Sequence, residues 1–184
     1  MRPPSGTPNT MDVLDITTAP LEAHPLTGCC READRADIVA LGLDQLRAAL
    51  PDTFHGHLIA LTEEIRQSSK YLRDLADRAQ IHVARVPVVL NHLNVLLPCF
   101  SRTLKDIMGY YEDKTVSREL RWRKMYNKMT EEAGGLPLPQ RFVLYNHFLS
   151  LLMMLLTRSP NFDLNTLETL RTRLLALRER RGIR

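Results

Sequence analysis

The sequence predicts an all-α protein: a helical bundle of about six helices with one long amphipathic arm and a disordered N-terminal tail. Three observations carry that prediction. Apolar residues recur at three- and four-residue steps through most of the chain. The commonest residues, Leu, Arg, Ala and Glu, are good helix formers, and no stretch alternates in the manner of a half-buried strand. At 184 residues, 44% apolar and 25% charged, the chain has the material for one domain with a sizeable core.

The elements follow in order. Residues 1–32 hold five prolines and no apolar period, which predicts a tail containing Cys29 and Cys30, with the helical domain over 33–184. The segment "DIVALGLDQLRAAL" predicts a first helix with a stripe of Ile38, Leu41, Leu46 and Leu50, ending before Pro51. Asp52 or Thr53 is then placed to cap a long second helix over 53–86. Leu58, Leu61, Ile65, Ser68, Leu72, Leu75, Ala79, His82 and Val86 form its heptad seam, with charges on both flanks. A charge-free stretch over 86–101 predicts a core helix that kinks or restarts at Pro98, with Ser101 capping the continuation.

A basic helix begins near Arg118 and stops at the Gly134-Gly135 pair. A second apolar core helix covers about 140–157. Both apolar stretches are shorter than a bilayer span and carry Asn and His, so no transmembrane segment is expected. The last helix, capped by Asp163 or by Asn165 with Glu168, presents Leu164, Leu167, Leu170, Leu174 and Leu177.

The basic helix raises the question of function. On a helical wheel, Trp122, Met125, Tyr126, Met129 and Ala133 share one side, while Arg121, Lys124 and Lys128 share another. Aromatics that stack nucleic-acid bases stand beside the cations; here they are separated, so the rings are expected inward and the cations in water. The charge is uneven too. Residues 1–101 carry 9 Lys/Arg against 12 Asp/Glu, and residues 102–184 carry 16 against 9.

Signatures of chemistry are missing from the pattern. His55 and His57 stand two apart at a helix start, where their side chains diverge, and no HExxH, CxxC, phosphate-binding glycine loop or GxSxG occurs. His92 and Cys99 lie on an apolar helix broken by Pro98. Asn91, His92, Asn94, Asn146 and His147 are read as core polar groups bonded across the bundle. No metal, cofactor or enzymatic activity is expected. Three cysteines, an odd number, and the acids Asp12, Asp15 and Glu22 near the start favour a reducing intracellular compartment, cytoplasmic or nuclear.

The blocks "RWRKMYNKMTEEAGG" and "RSPNFDLNTL" resemble the C-terminal half of a set of helical proteins from filamentous fungi, over about residues 40–184. The resemblance implies an intracellular helical domain and brings no catalytic residue with it. The sequence reading is therefore a non-enzymatic interaction or adaptor module for a protein partner, engaged through the exposed flank of the long helix and the basic face of Arg121, Lys124 and Lys128, with homo-oligomerisation open to it. The alternative is a binder of RNA or acidic lipid through Arg121, Lys124, Lys128, Arg178, Arg180 and Arg181. A third reading, an accessory protein of a metabolic pathway, has no residues to carry it.

Overall fold

The computed structural model describes residues 26–183, so the tail expectation for residues 1–25 lies outside the described residues. Six α-helices follow one another: α1 Thr27–Ala48, α2 His55–Ala79, α3 Val86–Glu112, α4 Arg118–Glu132, α5 Leu138–Thr157 and α6 Leu164–Arg180. Single 3₁₀ turns, Asp52–Phe54 and Val83–Arg85, precede α2 and α3, and no strand occurs among the described residues.

Helix α1 starts six residues before the expected domain boundary. Cys29 and Glu32 therefore belong to the folded domain: both are buried, and only Cys30 of the cysteine pair is exposed. Its inner face also differs from the stripe that the large residues outline. Ile38 and Leu41 are 57% and 58% exposed, and the buried line is Cys29, Ala33, Ala36, Ala40 and Leu43. These residues step by four and three, as a helix seam requires, but most are small. Small residues let two helix backbones approach closely, and α2 meets them with Ser68, Ser69, Ala76 and Ala79 among its leucines. The two helices run antiparallel, fastened at the rim by Arg73 to Asp34 and Asp37, at 2.7 and 2.8 Å, and by Arg66 to Asp44.

The seam of α2 is the expected one from Leu58 to Ala79, all buried. The helix ends there, however. Gln80–His82 turn the chain, and Val86 starts α3, so the 53–86 stretch is not one rod. Nor does it stand off as an arm, because α1 and α5 cover it along its length. Neither Asp52 nor Thr53 caps it, since no side chain accepts a hydrogen bond at its N-terminus.

Helix α3 is the hub, touching α1, α4, α5 and α6. It runs without interruption through Pro98. Proline supplies no N–H to the carbonyl four residues earlier, which here is Asn94. Arg178 on α6 reaches across, its Nη1 3.5 Å from Asn94 O, so the freed carbonyl has a charged donor. Ser101 caps nothing and instead accepts from Arg35 on α1 at 2.8 Å. The stretch Val83–Glu112 is long and apolar enough, by length and composition, to cross a membrane. In this fold it is a central helix with Val89, Leu93, Leu96, Phe100, Leu104 and Ile107 inside.

Helix α5 is the other central element, as the charge-free stretch over 142–157 predicts. Phe142 and Tyr145 meet Phe100 of α3 edge to face, with ring centres 5.8 and 5.7 Å away, and meet each other at 5.5 Å. Asp163 caps α6 by accepting from the Asn165 and Thr166 N–H groups, settling the choice between Asp163 and Asn165. The box with Glu168 does not form.

Candidate interaction surfaces

Helix α4 carries the sequence question. Ser117 caps it by accepting from Leu120 N at 3.3 Å. Trp122, Met125, Met129 and Ala133 are buried and Tyr126 half-buried, so the aromatic stripe does face inward. The expected basic face fares differently. Lys124 and Lys128 are exposed, but Arg121 turns back under the helix. Its Nε donates to Val116 O and its Nη1 to Tyr111 O, both at 3.0 Å. Carbonyls at the end of α3 have no partner inside their own helix, and a guanidinium satisfies them while sitting at the negative end of the dipole. Arg121 is a helix cap in function.

The C-terminal cations are likewise divided. Arg178 serves Asn94 O and also donates from Nε to Ile183 O at 2.9 Å. Arg181, with a side chain only 3% exposed, pairs with Asp106 and donates to Thr103 Oγ1 at 2.8 Å. Thr103 in turn bonds the Tyr145 hydroxyl at 2.9 Å, and complete burial pushes that phenol up to about 12. Of the six cations assigned to one face, Lys124, Lys128 and Arg180 remain exposed.

One cation that the sequence pattern passes over is Arg141. It lies fully buried in α5 and donates from Nη2 to Met129 O near the end of α4, while Nε and Nη1 find no protein acceptor. Burial pulls its affinity for the proton down, yet a guanidinium stays charged at any ordinary pH. Nothing in "LPLPQRFVL" marks this arginine as internal, since it stands in the first turn of α5, just before the charge-free stretch.

The core polar groups do not assemble into a site. Asn146 bonds α2 instead of α3: it accepts from Ser68 Oγ at 2.6 Å and donates to Glu64 O and Oε2 at 3.0 and 2.7 Å. Asn91, Asn94 and His147 are exposed. His92 lies edge-on to Phe148, and its burial, with Arg171 nearby, lowers its pKa. Cys99 faces Leu174 O, and burial raises its thiol pKa. Among the described residues, no group of three or more His, Cys, Asp or Glu is placed to hold a metal ion.

The histidine pair at the start of α2 separates as its spacing requires. His55 Nε2 is 2.9 Å from Leu50 O, whereas His57 turns outward to Tyr126, ring centres 5.6 Å apart. Here α2 and α4 form a groove of about 350 Å³ lined by Phe54, His57, Trp122, Arg123, Tyr126 and Asn127, with Thr53 at its edge. Trp122 and Tyr126 touch at 5.4 Å, and Arg123 lies over the Phe54 ring, 5.5 Å from its centre. Phe54 and Tyr126 are half-buried, so each keeps apolar surface available at the groove. The α4 rings stand out in the sequence pattern but their partners do not, because Phe54 and His57 lie some seventy residues away along the chain.

No family model, curated protein or solved structure matches the chain.

Proposed function

We propose that this protein is a non-enzymatic interaction module that holds a short segment of a protein partner in the groove between the start of α2 and α4. The carrying observation is the composition of that groove. Trp, Tyr and Arg dominate the energetics of protein interfaces because they combine large apolar area, few rotatable bonds and a polar handle. Here Trp122 forms a fixed floor, Phe54 and Tyr126 form the walls, and Arg123 stands at the rim. Among the described residues no acidic side chain lines the groove; Arg123 at its rim is paired with Glu119 at 2.6 Å, and the exposed Lys124 and Lys128 on the same helix are the cations left for a partner's carboxylate. The matching segment carries an aliphatic or aromatic anchor beside a carboxylate. A reducing intracellular setting belongs to the same proposal, as does kinship with the fungal helical set.

The test is an affinity purification from native extract, with nuclease and a high-salt wash, run in parallel with a Phe54→Ala, Tyr126→Ala variant. A protein retained by the natural chain through both treatments and lost by the variant supports the groove. Equal retention by both overturns it. Recovery of RNA or acidic lipid alone, released by salt, supports the alternative reading through the exposed Lys124 and Lys128, since phosphate contacts weaken steeply with ionic strength.

A further inference from the structure

A second concave site lies on the far side of the α4 terminus, and its chemistry differs from that of the groove. Helix α4 ends at Gly134 and Gly135, both in the left-handed region at φ 68° and 89°. That turn, α5 and α6 enclose a pocket of about 250 Å³. Leu136, Leu144 and Leu177 supply apolar wall, and Arg173 and Arg180 supply the only charged side chains that line it. The two arginines are seven residues apart on α6, about two turns, so they leave the same side of the helix.

Their electrostatic situation sets them apart from the other arginines of this end. Arg121, Arg178 and Arg181 each hold a carbonyl or a carboxylate. Arg173 and Arg180 make no salt bridge and no side-chain hydrogen bond among the described residues, although Glu168 and Glu179 are on the same helix. The Arg180 guanidinium lies close over the Gly134 turn, where a Cβ would meet its Nη1, the free end of a flexible side chain. The buried Arg141 adds a third positive charge behind the same corner, one helical turn from Ala133 through its bond to Met129 O. Glu132 and Asp106 lie near enough to Arg141 to offset its charge, whereas Arg173 and Arg180 are exposed and unpaired among the described residues, so the positive charge that the pocket presents is theirs.

We infer that this pocket binds a phosphate monoester, its phosphoryl oxygens forked between Arg173 and Arg180 and its organic group against Leu136, Leu144 and Leu177. Planar guanidinium forks match phosphate oxygens with two parallel N–H···O bonds. The apolar wall separates this ligand from inorganic phosphate, and the enclosed volume suits a small organic group better than a polymer backbone. The inference is independent of the aromatic groove, which shares no residue with this pocket.

The experiment titrates the full chain with phenyl phosphate and with inorganic phosphate by calorimetry. It is repeated on an Arg173→Gln, Arg180→Gln variant and on Phe54→Ala, Tyr126→Ala. The expected result is one phenyl phosphate site, tighter than inorganic phosphate. The double arginine variant should weaken it at least about tenfold, as loss of two charged hydrogen-bond donors implies, and the groove variant should leave it unchanged. Because neither arginine has a partner among the described residues, the arginine variant should melt with the natural chain. Flotation with phosphatidylcholine vesicles, with and without phosphatidic acid, identifies the source of the ester. Capture that needs both phosphatidic acid and the two arginines assigns a lipid headgroup; no capture assigns a soluble ester. The inference is overturned by no saturable binding of phenyl phosphate, by binding that survives the arginine substitutions, or by equal affinity for the two phosphates.

Discussion

Trp122→Ala probes the floor of the groove and the inward orientation of α4 together. The ring is 3% exposed and packs at 5.4 Å against Tyr126, in the same apolar layer as Met125 and Met129. Replacing a buried Trp by Ala costs about 3–5 kcal/mol through lost transfer energy and the cavity left behind. The upper end applies where the surroundings cannot relax. Here one side of the ring borders an open groove, so Tyr126 and Phe54 are free to settle into part of the space, and the expected loss is about 3 kcal/mol. For a chain of this size that is a fall in melting temperature of about 6–12 °C. Since the substitution removes the only Trp, the assay is urea unfolding followed by far-ultraviolet circular dichroism, with an unchanged slope and a lower midpoint. Lys124→Gln with Lys128→Gln serves as the control and should stay within about 0.5 kcal/mol of the natural protein. A loss below about 1 kcal/mol for Trp122→Ala would show that the ring is not buried, and it would return α4 to the nucleic-acid reading.

Three further outcomes follow from contacts elsewhere. Pro98→Ala restores the N–H that the Asn94 carbonyl lacks, so Arg178→Gln should cost about 1 kcal/mol in the natural chain and clearly less beside Pro98→Ala; equal costs in a double-mutant cycle would sever the link between the two residues. A Cβ at Gly42 would stand 2.5 Å from the Tyr111 ring, so Gly42→Ala should destabilise by about 1–3 kcal/mol. In a Tyr111→Ala background the sign should reverse, leaving the gain of roughly 0.5–1 kcal/mol that Ala has over Gly in a helix. Burial raises Cys29 from 9.0 to about 12 and Tyr145 from 10.0 to about 12, so the folded protein keeps protons that the unfolded chain releases. Stability from these groups is complete below about pH 9 and is lost as the pH rises towards 12. Cys29→Ala should remove the earlier part of that alkaline decline in urea midpoints measured at successive pH values; an unchanged profile would place the thiol in contact with water.

How far the sequence could be read depended on whether a feature is set locally. Helix ends were legible where a residue stops a helix by its own backbone chemistry: Pro51, the Gly134-Gly135 pair and Asp163 all mark boundaries. The orientation of α4 was legible for a similar reason, because its apolar and charged residues occupy separate sides. The face of α1 was not. Size alone favours Ile38 and Leu41 as core residues, yet the helix buries Ala33, Ala36 and Ala40, since the gain comes from close backbone approach to a helix that the local pattern does not contain. Pro98 failed in the same way, as its helix continues through it and the carbonyl it leaves without a partner is approached by an arginine eighty residues later. The cationic side chains show the consequence for function most clearly. Arginine is read from sequence as surface charge, but Arg121, Arg178 and Arg181 are spent on carbonyls and a carboxylate brought to them by the fold, while Arg173 and Arg180 are left unpaired among the described residues. A charge count gives the same weight to all five. The unpaired ones can be told apart only when every acceptor around them is known, so binding sites built on arginine become visible later than the helices that carry them.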